Sequence, residues 1–163
     1  MGKLNNSLFS SKDQTWETPL DLFDKINSVY NFTLDVCAVE DTAKCTKYFT
    51  PEIDGLSQKW VGNCWMNPPY GREQINWINK AYEESKNSFT TIVCLIPARP
   101  DTKVWQDIIF KHASAICFIK GRLKFGNSKD SAPFPSALIV FGDKLNEKQD
   151  IMFSNLGKLF KLK

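Results

Sequence analysis

Four consecutive residues near the middle of the chain, Asn67-Pro68-Pro69-Tyr70, place a side-chain amide, two prolines and an aromatic ring directly after a short apolar segment. Proline lacks an amide hydrogen and has a fixed φ, so the pair ends a strand and holds Asn67 extended. The Asn67 side-chain oxygen and the Pro68 carbonyl oxygen can each accept a hydrogen from an amino group on a planar ring, on which Tyr70 can stack. Two such acceptors draw the nitrogen lone pair out of conjugation with the ring. The tetrapeptide therefore predicts a site that makes an exocyclic amine more nucleophilic.

Apolar strands and amphipathic helices alternate around this tetrapeptide. Strands are predicted at 32–38, 63–67, 90–98, 114–119 and 136–141, and helices at 20–30, 73–87 and 102–111. We expect Thr18 to cap the first helix, with Pro19 in its first turn. Continuous apolar strands that alternate with helices are typical of an α/β fold with a mostly parallel central sheet and helices on both faces. Ligands bind such folds outside the carboxyl ends of the strands, so we expect Asp35, Asn67 and Pro97 to share one cleft.

The composition is that of one globular domain, because the 163 residues are 42% hydrophobic and 24% charged. We expect this domain to span 1–163, with 1–13 as a flexible lead and no separate target-recognition domain. No apolar run reaches membrane-spanning length, and the polar start lacks the apolar segment of a secretory signal. A soluble, cytoplasmic protein is therefore predicted. The five cysteines form no CxxC pair, and we interpret them as buried side chains without a metal or a disulfide.

Positive charge is mild, at a net +3, but it is clustered. Lys120, Arg122 and Lys124 fall close together, and further lysines follow toward the C-terminus. Such a cluster is typical of a solvated face, or of an edge that contacts the phosphates of nucleic acid. The C-terminal lysines by themselves indicate a basic tail.

The tetrapeptide has the form (D/N/S)-P-P-(Y/F/W) of the amino-methyltransferases that use S-adenosylmethionine, and further segments resemble the small phage-type DNA N6-adenine methyltransferase family. In the expected order, these segments are WETP (16–19), FTLDVCA (32–38), DGL (54–56), NPPYG (67–71), LIPAR (95–99) and GRLKFG (121–126). The resemblance implies a Rossmann-like methyltransferase fold. One departure is the absence of a glycine-rich cofactor loop after the first strand, where Cys37 and Ala38 stand; their small side chains still let the backbone approach a cofactor.

The resemblance also implies roles for the matched residues. The catalytic set would be Asn67, Pro68, Pro69 and Tyr70. The cofactor-binding set would be Trp16, Thr18, Pro19, Asp35, Cys37, Ala38, Asp54 and Asn67. The substrate-binding set would be Tyr70, Lys120, Arg122, Lys124 and Phe125. Within these sets, Asp35 would hold the methionine and ribose parts of the cofactor and Asp54 the amine of its adenine. Taken singly, Asp35 could instead be a strand-end cap, Asp54 part of a turn before Gly55, and Phe125 a core side chain.

The implied reaction is methylation of the N6 amine of adenine in double-stranded DNA, with S-adenosylmethionine as the methyl donor, no metal, and the target base extruded from the duplex. The same tetrapeptide could serve methylation of the cytosine N4 amine, of an RNA adenine, or of a glutamine side chain in a protein. From another functional class, the chain could be a catalytically silent nucleic-acid-binding module. The intact tetrapeptide argues against that last alternative.

Overall fold

The computed structural model describes residues 16–126 and 128–163, so the lead predicted at 1–13 lies outside the described residues. The strands in this part of the chain are β1 (Leu34–Asp35), β2 (Gly62–Met66), β3 (Thr90–Pro97), β4 (Ala115–Ile119), β5 (Ser136–Phe141) and β6 (Gly157–Lys161). The helices are α1 (Leu20–Tyr30), α2 (Gln74–Ser85), a π-helical segment (Val104–Ile109) that continues into α3 (Phe110–His112), and α4 (Glu147–Leu156), with a 3-10 turn at Gly55–Ser57. The predicted strands and helices up to Phe141 are thus confirmed within a few residues.

The strands form one sheet in the order β1-β2-β3-β5-β4-β6. The pairs β1/β2 and β2/β3 are parallel, whereas β3/β5, β5/β4 and β4/β6 are antiparallel. The sheet is therefore mixed, and the prediction of a mostly parallel sheet is not confirmed. An apolar run reports burial on both faces of a strand and not its direction, and β5 is buried along its whole length between two antiparallel neighbours. The described residues between β4 and β5 contain no helix. A parallel neighbour would need a crossover connection, usually a helix, whereas β5 can pair with β4 as an antiparallel strand without one.

Helices cover both faces of the sheet, as predicted. Side chains alternate across each strand, so Trp65 on β2 points to one face while Cys64 and Met66 point to the other. The Trp65 face packs against α1 and α4, and the Phe23 ring of α1 meets Trp65 edge-on at 5.4 Å. The opposite face packs against α2 and the π-helical segment through Trp77 and other buried apolar side chains. This arrangement leaves the ends of the strands open for a site.

The last two elements, α4 and β6, were not predicted from the sequence, where we expected only a basic tail. Asn146 and Gln149 form a reciprocal capping box that begins α4. The strand that follows pairs with β4 from Gly157 opposite Ile119 onward. The signal was present, since asparagine followed three residues later by glutamine predicts a helix start.

Within the described ranges, no helix is both long and apolar enough to cross a membrane.

Candidate functional site

A cleft of about 520 Å³ opens at the carboxyl ends of β1 and β2. These strands are parallel neighbours with Asp35 opposite Trp65, so the residues that follow each strand emerge at the same edge of the sheet. The members of the predicted cofactor-binding set that line this cleft are Trp16, Thr18, Asp35, Cys37, Ala38, Asp54 and Asn67. Pro19 is outside the lining and occupies the N-cap of α1. Of the predicted catalytic tetrapeptide, Asn67 and Pro69 line the cleft, and Pro68 is buried.

The Asn67 side chain is held by its amide nitrogen. Nδ2 donates to the backbone carbonyl of Trp16 and to Oγ1 of Thr18, the latter over 2.9 Å. A carbonyl oxygen only accepts hydrogen bonds, so the group that faces Trp16 must be the NH₂ group. Oδ1 therefore points away from Trp16, and it is buried with no hydrogen-bond partner among the described residues. A buried acceptor without a donor is costly, so Oδ1 can accept a hydrogen bond from a ligand group or a water molecule.

Thr18 does not cap α1, so that prediction is wrong. The N-cap position is Pro19, and no side chain of residues 16–126 or 128–163 caps the helix. The Thr18 side chain is buried and its hydroxyl faces Asn67 instead. The contact joins residues 49 positions apart, which local capping rules cannot anticipate.

Asp35 is almost fully buried at the end of β1, with 2% of its surface exposed. Its Oδ1 accepts from the backbone N–H of Cys37 over 3.3 Å, and Oδ2 accepts from that of Lys44 over 3.0 Å. Burial raises the pKa of Asp35 to about 6, although these two hydrogen bonds and the charge of Lys44 oppose the rise. Asp35 is thus a strand-end cap and also part of the cleft lining. Its remaining lone pairs can still accept from a ligand.

Asp54 reaches the cleft from the 3-10 turn. Its φ of 60° places it in the left-handed region, and its side chain makes no capping bond in the turn. The interpretation of Asp54 as a side-chain turn former is therefore not confirmed. The next residue must be glycine, because a Cβ on Gly55 would lie 2.2 Å from the carbonyl oxygen of Val36. This close approach brings the backbone of the turn beside the end of β1, and Asp54 lines the cleft there.

The cleft carries an excess of negative charge. Among the described residues, four carboxylate side chains line it, against a single cation, Lys44. The four are Glu17, Asp35, Asp54 and Glu73. Trp77 also lines the cleft, and its indole N–H is buried without a partner in the described part of the chain. Lys44, Glu73 and Trp77 were missed by the sequence reading because no recognised segment contains them. Among the residues that the structure describes, no group of three or more His, Cys, Asp or Glu side chains is placed to hold a metal ion.

A second cavity, of about 670 Å³, lies on the other side of the tetrapeptide. Tyr70 and Pro97 line it, and Trp16 lines both cavities. The single shared cleft that we expected is therefore two cavities, with Asp35 and Asn67 at the first and Pro97 at the second. The ring of Tyr70 is buried; it lies 6.5 Å from Trp16 at an interplanar angle of 21° and 5.4 Å from Phe134, edge-on.

The sequence model of the family described as DNA N-6-adenine-methyltransferase (Dam) matches residues 5–159. The chain belongs to this family. A protein of Haemophilus phage HP1 named DNA N-6-adenine-methyltransferase is 33% identical over 149 residues, which cover 86% of this chain and 84% of the relative. A protein of the same name from Escherichia phage T1 is 31% identical over 111 residues, 66% of this chain and 45% of that protein. A putative methyltransferase of Escherichia coli K12, YfdM, is 36% identical over 63 residues, 34% of this chain and 69% of that protein.

In this Dam-family chain, the remaining predicted substrate residues lie outside both cavities. Phe125 is buried and packs edge-on against Trp16 at 5.4 Å, as a core side chain would. Lys120, Arg122 and Lys124 are exposed beyond the end of β4, at the same edge of the sheet as the cavities. Arg122 donates one hydrogen bond, over 3.3 Å, to the carbonyl of Ala132. Phe134, which does line the second cavity, was missed because no recognised segment includes it.

Proposed function

We propose that the protein is an adenine-specific DNA methyltransferase that transfers a methyl group from S-adenosylmethionine to the N6 amine of an adenine in double-stranded DNA. Membership of the Dam family and the names of its phage relatives support the reaction class. The observation that carries the proposal is the Oδ1 atom of Asn67, a buried acceptor that has no partner among the described residues and belongs to a side chain that lines the first cleft. The mixed α/β sheet is proposed to be a Rossmann-like methyltransferase fold over a single domain of 163 residues.

The residues of the first cleft fit the proposed cofactor. S-adenosylmethionine supplies a methyl group on a positively charged sulfur and also carries an ammonium group, so it suits a cleft whose described lining has four carboxylates and one lysine. Asp54, whose side chain makes no capping bond in its turn, would accept from the amine of the cofactor's adenine. Asp35 and the small residues Cys37 and Ala38 would hold the ribose and methionine parts. Trp16 and Thr18 line the cleft beside Asn67, and Pro19 would support that segment from the start of α1.

Asn67 and Pro68 would act on the target amine. The free Oδ1 of Asn67 and the carbonyl oxygen of Pro68 would accept the two hydrogens of the N6 amine, which turns the nitrogen lone pair toward the first cleft. Pro69 keeps the two acceptors rigid because its ring fixes φ. The chain's contribution is thus positioning and polarisation, since the methyl group arrives already activated.

The target adenine is hidden inside a duplex, so we propose that it is extruded toward the aromatic side chains around Tyr70. Unstacking a base costs a few kcal/mol, and stacking on an aromatic ring offsets part of this cost. Tyr70 lines the second cavity with Phe134, while Phe125 supports Trp16 from the core. With DNA as the substrate, the proposed site of action is the cytoplasm, that of the host cell for a phage-encoded protein.

Nucleoside mass spectrometry tests the proposal together with the alternatives that act on nucleic acid. Duplex DNA and RNA are incubated with the protein and S-adenosylmethionine that carries a deuterated methyl group, then digested. Labelled N6-methyladenine in the DNA sample alone is the expected result. Labelled N4-methylcytosine, or label in RNA alone, would replace the substrate assignment, and binding without any label would leave a silent binding module. Asn67→Ala is the control, since it removes the free acceptor and should abolish the label.

A further inference from the structure

Positively charged side chains are among the residues that line the second cavity. Arg72, Arg99 and Lys103 line it, and all three are exposed. None of the described residues that line this cavity is an aspartate or a glutamate. The two cavities on either side of the tetrapeptide therefore have opposite charge, the first acidic and the second basic.

The three cations come from two strand ends. Arg72 follows β2 just beyond Tyr70, and Arg99 follows β3, so both emerge at the carboxyl edge of the parallel strands. Lys103 is the N-cap of the π-helical segment. The loop between Arg99 and Lys103 is held by Thr102, whose backbone N–H and hydroxyl both donate to the carbonyl of Arg99, over 3.1 and 2.8 Å. The backbone that carries two of the cations is thus fixed in advance.

No ion pair within the described ranges involves any of these three side chains, so their donors are available to an external anion. By contrast, Lys44 at the first cleft pairs with Glu17 at 3.6 Å. A guanidinium group that is free to bind can make paired hydrogen bonds to phosphate oxygens.

The floor of the second cavity is aromatic and carries unpaired polar atoms. Tyr70, Trp105 and Phe134 line it, and all three are at least nine-tenths buried. The Tyr70 hydroxyl and the Trp105 indole N–H are buried without hydrogen-bond partners in the part of the chain that the structure describes. An aromatic lining with donors that have no partner among the described residues, beside three exposed cations, matches a nucleotide strand, because the bases stack and the phosphates are anionic.

We infer that Arg72, Arg99 and Lys103 form a phosphate-binding rim that holds the DNA backbone over Tyr70. This inference rests on the proposed function and adds the surface through which the DNA is held. The rim lies around the second cavity itself, whereas Lys120, Arg122 and Lys124 lie outside both cavities. The rim therefore contributes more of the phosphate contacts than the segment around Lys120.

The salt dependence of DNA affinity tests the rim. The combined substitution Arg72→Gln, Arg99→Gln and Lys103→Gln is compared with the wild type by fluorescence anisotropy on a labelled mixed-sequence duplex of about 20 base pairs. Affinity at moderate salt should fall about tenfold or more, and the slope of log K against log salt should flatten by up to about 2.7, or 0.9 for each lost contact.

Matched control variants distinguish the effect of the rim on DNA affinity from the effect of net charge. Lys111→Gln, Lys144→Gln and Lys148→Gln together remove the same charge from the opposite edge of the sheet and should leave the slope within about one unit. S-adenosylmethionine affinity, measured by calorimetry, should stay at the wild-type value in both triple variants, which reports an intact fold and first cleft. The triple variant of Lys120, Arg122 and Lys124 should flatten the slope less than the rim variant.

The outcomes that would overturn the rim differ from the one that would remove the proposed function. A rim variant whose slope equals that of the wild type, while the wild type binds and methylates DNA, overturns the rim and leaves the proposed function standing. A slope that flattens equally in the opposite-edge control also overturns it, because net charge would then be the cause. If the rim affects a single-stranded RNA of the same sequence more than the duplex, the rim is an RNA surface. A wild type that neither binds nor methylates DNA removes the proposed function itself.

Discussion

The side-chain nitrogen of Asn67 donates a hydrogen bond to the Thr18 hydroxyl oxygen over 2.9 Å, and with the bond to the Trp16 carbonyl this contact determines which way the amide faces. The free Oδ1 is consequently aimed by a side chain from a distant part of the sequence. Thr18 is thereby a positioning residue for the proposed catalytic acceptor.

Thr18→Val should lower kcat roughly 3- to 10-fold with little change in the KM for DNA, because it keeps the shape of the side chain but removes one hydrogen bond that orients Asn67. Steady-state kinetics on duplex DNA measures both constants. Thr18→Ser keeps the hydroxyl and should stay close to the wild type. Equal kcat values for the valine variant and the wild type would show that the Trp16 carbonyl alone suffices to orient the Asn67 amide.

Asn67→Asp should become less active, relative to the wild type, as pH rises. A carboxylate would set an anionic oxygen against the Trp16 carbonyl, whereas a protonated carboxyl can donate to it as the amide does. Activity ratios between about pH 5.5 and 8 measure the effect. Asn67→Ala, the control, should be almost inactive throughout. A ratio that does not change with pH would mean that the Trp16 carbonyl does not discriminate between an amide and a carboxylate at position 67.

The affinity for S-adenosylmethionine should rise as pH increases through about 6. Burial raises the pKa of Asp35 to about 6, so its carboxyl is neutral below that pH and charged above it. A cationic ligand favours the charged form, so binding below pH 6 must release a proton and is weakened by up to tenfold per pH unit. Calorimetry across this range gives both affinity and proton release. Asp35→Asn should bind more weakly near pH 7 and lose this dependence, with thermal unfolding followed alongside because the carboxylate also holds the loop at Cys37 and Lys44.

Asp54→Ala and Asp54→Gly should weaken cofactor binding by the same amount, on the order of 1.5–3 kcal/mol, because both remove the carboxylate acceptor. Their stabilities should differ, since Asp54 has a φ of 60° and glycine adopts that conformation without strain. Calorimetry of binding and denaturant unfolding therefore separate the acceptor from the backbone. If only the alanine variant bound poorly, the turn and not the carboxylate would explain the loss.

Tyr70→Phe should keep most of the activity and should not lower the free energy of unfolding, because the hydroxyl that it removes is buried without a partner among the described residues. Tyr70→Ala should lose activity, and it should also lose about 3–5 kcal/mol of stability because the ring packs against Trp16 and Phe134. Below its melting temperature, the alanine variant should recover part of its activity on duplexes whose target adenine is mispaired, since such a base costs less to extrude. An equal deficit on paired and mispaired duplexes would argue against stacking.

The short segments predicted part of the lining of the first cleft, although they included Pro19 and missed Lys44, Glu73 and Trp77. Asp35, Asp54 and Asn67 do line one cavity, and the reason is local at each position. Apolar runs predict the strands, proline ends one of them after Asn67, and Gly55 allows the approach that brings Asp54 to the end of β1. Their roles in binding and catalysis stay predictions.

By itself, then, the sequence determined the family resemblance, the alternation of strands and helices up to Phe141, and the tetrapeptide that ends β2. Only the tertiary structure decided the antiparallel half of the sheet, the division of the site into an acidic and a basic cavity, and the bond between Thr18 and Asn67. The physical reason is the distance along the chain over which each effect acts. Proline geometry and apolar periodicity act within a few residues, whereas strand direction, cavity charge and the partner of a buried amide depend on contacts between segments that only the folded path of the chain brings together.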